Sequence, residues 1–158
     1  MAVRSAGILL FRRAPELEVW IAHMGGPFWA RKDDHAWSIP KGEFEPSDAD
    51  ALAVARREFA EEVGAPAPDA AYRELGDFRY SSGKTVTVFA AEADPGVEQP
   101  HSNTFELEWP PRSGRRQAFP EIDRAAWFGV EEARTKLVAG QVPALDALIA
   151  AVQHGGGY

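Results

Sequence analysis

Glu58, Glu61 and Glu62 fall at i, i+3 and i+4 if the chain around them is helical. Three carboxylates then share one face within roughly 100° of arc. Like charges so placed destabilise a helix by roughly a few tenths of a kcal/mol per pair, and Arg57 is one cation among three anions. A hard divalent cation such as Mg²⁺ takes oxygen ligands, usually one or two carboxylates together with substrate phosphates. It would neutralise this cluster. The alternative is an acidic face left to solvent, where most glutamates lie.

The segment that carries these acids has the right period for a helix. Leu52, Ala55, Phe59 and Val63 form one apolar stripe at about 100° per residue, which predicts a helix from Asp48 or Asp50 to Val63. Ser47, Asp48 and Asp50 are candidate caps at its start, and Gly64 supplies the stop. The stripe lies beside the acids, so they sit at the edge of a packed helix.

Around it, Ser5 to Arg12 and Leu17 to His23 read as a β-hairpin, joined through the turn-like stretch 13–16. A short strand is expected near Trp37, ending by Pro40. Tyr72 to Tyr80, Thr85 to Ala91, Thr104 to Trp109 and Arg124 to Phe128 read as further strands, with helices over Val130 to Val138 and Val142 to Val152. Pro110 to Pro120, rich in proline and arginine, reads as a loop excursion. The mixture predicts an α/β fold, a sheet covered by helices. Its length of 158 residues suits one domain, expected over residues 1–153 with a frayed tail at 154–158.

Composition removes several classes of function. With no cysteine, the chain has no disulfide scaffold, thiolate metal site or cysteine nucleophile. The lack fits a reducing cytoplasm. The apolar run Ala6 to Phe11 is too short to span a membrane. A formal net charge of −7 argues against DNA and other sequence-independent backbone binding, while leaving RNA and small polyphosphates open. The four histidines show no zinc spacing, and there is no Gly-rich phosphate loop, since Gly83-Lys84-Thr85 has Phe78 where that loop needs its first glycine.

Pro40-Lys41-Gly42, Glu45-Pro46 and Arg57-Glu58-Phe59-Ala60-Glu61-Glu62-Val63-Gly64-Ala65 together resemble the Nudix box. The second half matches at every specified position with Ala65 as the last apolar residue. In the first half Gly42 precedes Arg57 by fifteen positions where the family pattern has fourteen, and the glutamate slot falls on Asp48 or Ala49, of which Asp48 is the acid. The resemblance implies a Nudix-type α/β/α sandwich with a mixed β-sheet. It further implies a pyrophosphohydrolase with Mg²⁺, or Mn²⁺ in its place, bound by Glu58, Glu61, Glu62 and the Gly42 carbonyl, with Arg57 orienting the acids. Trp37 to Gly42, Lys84-Thr85-Val86, and Glu121 shortly before Arg124 to Phe128 are similar in order to the diadenosine tetraphosphate hydrolase branch.

That likeness makes Glu121 a second candidate, beside Glu58, for the base that takes a proton from the attacking water. Lys41 and Lys84 are candidate phosphate contacts; Trp37, Tyr80 and Phe89 are candidates to stack on a base, against the alternative of core aromatics. Arg112, Arg115 and Arg116 are either a substrate clamp or a charged surface loop. The substrate expected is a small nucleotide, either a dinucleoside polyphosphate or a nucleoside triphosphate. Two rival functions remain at this level: a catalytically silent nucleotide-binding regulatory module, which would usually lose box acids that are all present here, and an RNA 5′-end pyrophosphohydrolase.

Overall fold

The computed structural model describes residues 3–13 and 15–155. The first hairpin is β1 (Arg4–Arg13) and β2 (Leu17–Met24), antiparallel with Leu10 opposite Trp20 and Arg13 opposite Leu17. Two short strands follow, β3 (Trp37–Ser38) and β4 (Lys41–Glu43), and then the helix α1 (Ala51–Val63). Strands β5 (Arg73–Arg79) and β6 (Thr85–Glu92) form a second hairpin, and β7 (Thr104–Glu108) and β8 (Arg116–Pro120) a third. The chain closes with β9 (Ile122–Gly129), α2 (Val130–Lys136), a 3₁₀ turn at Ala139–Gln141 and α3 (Val142–Gly155).

Seven strands make one mixed sheet in the path β3-β2-β1-β6-β5, with β4 added to β1 and β9 to β2. The pairing of β1 with β6 is parallel; the others are antiparallel. Both faces of the central strands are covered, so these strands carry apolar runs such as Ile8 to Phe11 instead of apolar residues at alternate positions only. On β1, Ala6, Ile8 and Leu10 pack toward Val54, Ala55, Phe59 and Val63 of α1, while Leu9 and Phe11 pack toward Ala133, Leu137, Leu145 and Leu148. The result is the α/β/α sandwich. Among the described residues no helix is long and apolar enough to cross a membrane.

Two expectations change. Residues 116–120, read as part of a loop, form the strand β8: β7 pairs with it from Thr104–Pro120 to Glu108–Arg116, making a two-stranded arm separate from the main sheet. Its residues are exposed except for Phe119, which packs by Phe105, so the stretch has no apolar alternation by which a strand could be recognised. The final helix runs to Gly155, into the stretch expected to be a tail, and residues 156–158 of that expected tail lie outside the described residues.

Candidate active site

Local sequence fixes both ends of α1. Asp50 is the N-cap, its carboxylate accepting from the Leu52 N–H at 3.0 Å. Gly64 ends the helix at φ +84°, and a Cβ there would stand 2.5 Å from the His101 carbonyl oxygen. Glycine meets both demands. The expected stripe is buried at Ala55, Phe59 and Val63; Leu52 is only partly covered, and Val54 takes the fourth buried place.

The other face of the helix presents the acids to a cavity of 310 Å³ lined by Lys41, Gly42, Glu43, Glu58, Glu61, Glu62, Asn103 and Glu121. Strand β4 forms the opposite wall, held to β1 with Gly42 opposite Ala6. Glu58 lies so close to this strand that a Cβ at Gly42 would come within 2.0 Å of its Oε2. Glycine is needed for that approach. Glu62 Oε2 accepts the Lys41 N–H at 3.0 Å.

Arg57 forks onto Asp48, with Nη1 at 2.9 Å from Oδ1 and Nη2 at 3.0 Å from Oδ2, and Nη2 also reaches Glu58 Oε1 at 3.3 Å. The two-point contact with Asp48 fixes the guanidinium plane. Asp48, the acid expected at that slot, is the one that meets Arg57, and its carboxyl is held below the usual range, first by the Arg57 hydrogen bonds and then by the Glu45 N–H. Arg57 is held more firmly cationic, chiefly by Asp48.

The acids themselves are pushed the other way. Burial raises Glu58, with the charge of Glu61 adding to it and Arg57 opposing. Glu62 is partly exposed by its total area, yet its carboxyl is enclosed by protein, and burial pushes it up to about 8 against the opposing pull of Lys41. An enclosed carboxyl with so little compensating positive charge suits a cation-binding place. Among the described residues no three acidic or imidazole side chains are gathered tightly enough to hold an ion as they stand. The acids border one cavity without closing on a point. Their donor chemistry is nonetheless all hard oxygen, which fits a divalent cation.

Lys41 and Glu43 also line a second cavity of 350 Å³, together with Ser38, Tyr80, Ser82, Lys84, Thr85, Val86 and Val138. Tyr80 and Lys84 are thus brought to one place. Trp37 is not: it lines neither cavity, is 4% exposed, meets Phe128 and His23 edge-on, and donates its indole N–H to Asp33 at 2.9 Å. Its ring is consumed by the core. Phe89, at 7% exposure, is likewise core, on the α1 side. Arg112, Arg115 and Arg116 are exposed at the tip of the β7–β8 arm and line neither cavity.

Three contributors escape sequence reasoning. Asn103 and Glu43 line the acid cavity without belonging to the box. Buried Gln141 accepts from the Ile39 N–H at 2.8 Å and donates to Ser38 Oγ at 2.9 Å and to the Tyr80 hydroxyl at 2.8 Å, so it anchors Tyr80 to the strand region before β4. Nothing local marks these residues, because each acts on partners distant in sequence.

The layered sheet with acids at the edge of α1 defines a class, the α/β/α sandwich with a carboxylate-lined cavity. A NUDIX domain family model matches residues 1–148, and the chain belongs to that family. Hydrolases of that family generally use divalent metal ions, which the oxygen donors of this cavity suit. A protein of Enterobacteria phage T4, described as an uncharacterized 17.7 kDa protein in the e-segB intergenic region, is 40% identical over 94 residues, covering 56% of this chain and 58% of the relative. The match thus spans little more than half of that relative. A C. elegans Ap4A hydrolase in a binary complex superposes with a TM-score of 0.64 at 19% identity, covering 96% of this chain and 98% of that one. The NUDIX domain of Shewanella oneidensis NrtR complexed with ADP ribose gives 0.60 at 12% identity, with 96% and 89% covered. At such identities these two show the shared fold.

Proposed function

We propose that this chain is a Mg²⁺-dependent hydrolase of a phosphoanhydride bond in a nucleoside diphosphate-linked substrate, with dinucleoside polyphosphates and nucleoside triphosphates as its substrate class. One observation supports this best: the cavity lined by Glu58, Glu61, Glu62 and Glu121 adjoins the cavity lined by Tyr80 and Lys84, and Lys41 and Glu43 border both. A substrate lying across β4 has its phosphates over the acids and its nucleoside beside Tyr80.

Glu58, Glu61, Glu62 and the Gly42 carbonyl are the donors that would hold the cation. When bound, it neutralises phosphate charge and makes water a better nucleophile. Lys41 and Lys84 offer point charges to the phosphates. Arg57, locked by Asp48, holds Glu58 in place. Glu121, across the cavity from the helix, accepts the proton of the attacking water, and Glu58 is the other candidate for that role. The domain works as one unit over residues 1–153, in the cytoplasm, on small nucleotides instead of on DNA.

The test is a phosphate-release screen with Mg²⁺ over diadenosine tetraphosphate, nucleoside triphosphates, ADP ribose, other nucleotide sugars and 5′-capped or triphosphorylated RNA. Fastest turnover on the first two classes is expected. Preference for RNA overturns the substrate class, and binding without turnover anywhere overturns the enzyme in favour of a silent nucleotide-binding module.

A further inference from the structure

Strand β9 carries one residue too many for its partner. His23 of β2 faces Arg124 and Met24 faces Ile122, so Asp123 stands in a bulge with no residue opposite it. The side-chain order records the same event. Ile122, 2% exposed, packs in the α1-side core with Ala125 and Trp127, whereas Ala126 and Phe128 pack on the other side. In an unbroken strand residue 122 would share its face with 126 and 128. The extra residue is what lets Ile122 face α1, next to Glu121, which precedes the strand and lines the acid cavity.

A buried ring holds this bulge. His23, fully buried, places Nδ1 2.9 Å from Asp123 Oδ1 and Nε2 2.7 Å from the Lys32 carbonyl oxygen. Both ring nitrogens thus have an oxygen partner. The Asp123 carbonyl, freed from the ladder, accepts from Gln99 Nε2 at 2.8 Å. Immediately beyond the bulge, the Gly25 N–H donates to the Glu121 carbonyl at 2.9 Å.

We infer that the His23–Asp123 pair is a positioning device for Glu121: by clamping the β9 bulge from the face opposite α1, it fixes the entry to the strand and with it the backbone of Glu121, which Gly25 and Asn103 hold beside the acid cavity. This rests on the reading of Glu121 as the base. Asp123 is the residue to change, since its side chain is one-third exposed and its loss leaves no large hole. Asp123→Ala is expected to lower kcat on diadenosine tetraphosphate about tenfold with KM within about twofold of wild type, the pattern of a misplaced transition-state group. Asp123→Asn keeps an acceptor for one ring N–H and should fall between.

A second readout needs no turnover: amide hydrogen exchange at Gly25 should quicken in Asp123→Ala while exchange within α1 does not change. The double variant Glu121→Gln, Asp123→Ala should be no slower than Glu121→Gln alone, because a positioning residue has nothing left to position. If Asp123→Ala lowers kcat by the same factor in both backgrounds, or runs at the wild-type rate while Glu121→Gln is slow, the inference fails alone. If Glu121→Gln itself runs at the wild-type rate, the reading of Glu121 fails and takes the inference with it.

Discussion

Glu61 and Glu121, sixty positions apart in sequence, are joined through the backbone of a single residue: the Asn103 N–H donates to the Glu61 carbonyl at 3.0 Å, and the Asn103 carbonyl accepts from the Glu121 N–H at 2.9 Å. The last turn of a helix leaves carbonyls without intrahelical donors. Here Gly64, Asn103 and His101 supply N–H groups to the carbonyls of Ala60, Glu61 and Val63. Completing α1 therefore also fixes the loop from which Glu121 comes.

Asn103→Pro removes the N–H while Asn103→Ala keeps it, so the two variants separate the backbone from the side chain. Asn103→Pro should lower kcat at least tenfold and cost about 1 kcal/mol of stability for the lost hydrogen bond. Asn103→Ala should stay within about threefold of wild type. Steady-state kinetics and urea unfolding on both variants decide the matter, and equal losses would mean that the side chain, not the backbone relay, is what counts.

How much of this could be read from sequence follows from the range of the forces involved. The helix, its Asp50 cap and its Gly64 stop are local patterns, and they are visible in the stripe Ala55, Phe59, Val63. The acids Glu58, Glu61 and Glu62 come with the helix because its period fixes their spacing. Trp37 could not be assigned, since an aromatic in a short strand looks the same whether it meets a ligand or, as here, Phe128. Gln141 bonds to Ile39 across 102 positions, and only the folded chain brings them together. Strand β8 was hidden for a related reason: its pairing with β7, and not its own side chains, makes it a strand.

Glu62 gives the metal-free protein a pH dependence of definite sign. Its folded value of about 8 lies above the ordinary 4.5, burial being the main cause and Glu121 and Glu58 adding to it. Over that window the folded chain holds a proton that the unfolded chain has lost. The contribution to stability is full below about 4.5 and is lost as pH rises through about 8. Glu62→Gln cannot ionise, so in the presence of a chelator its melting temperature should match wild type near pH 5 and exceed it at pH 8, at about 2–4 °C for each kcal/mol. Mg²⁺ added at pH 8 should raise the wild-type midpoint more than that of the variant. Scanning calorimetry showing parallel pH curves for the two proteins would place the Glu62 carboxyl in solvent instead.

Lys84 belongs to the second cavity and not to the acid cavity, so its loss should weaken binding more than it slows chemistry. Lys84→Ala is expected to raise KM for diadenosine tetraphosphate about tenfold with kcat changed by less than about twofold, the mark of binding shared by ground and transition states. Tyr80→Phe, which removes the hydroxyl that accepts from Gln141, should raise KM less. An unchanged KM in Lys84→Ala would mean that Lys84 does not meet the substrate.

The two candidate bases differ in their surroundings. Glu58 rises from α1 against Gly42, is bonded by Arg57, and lies beside Glu61. Glu121 is exposed just before β9, outside the i, i+3, i+4 cluster, and lines the same cavity. Removing the Glu58 charge therefore takes away a donor for the cation as well as a proton acceptor, whereas removing the Glu121 charge takes away the acceptor and spares the helix donors. Glu121→Gln should depress kcat by about two orders of magnitude or more while KM and the Mg²⁺ concentration for half-maximal rate stay within about threefold of wild type. Glu58→Gln should shift the Mg²⁺ requirement upward about tenfold in addition to lowering kcat. Initial rates over a grid of substrate and Mg²⁺ concentrations distinguish the two patterns. A Glu121→Gln variant at the wild-type rate would make Glu58 the base, and a Glu121→Gln variant whose defect is cured by raising Mg²⁺ would make Glu121 one more cation ligand.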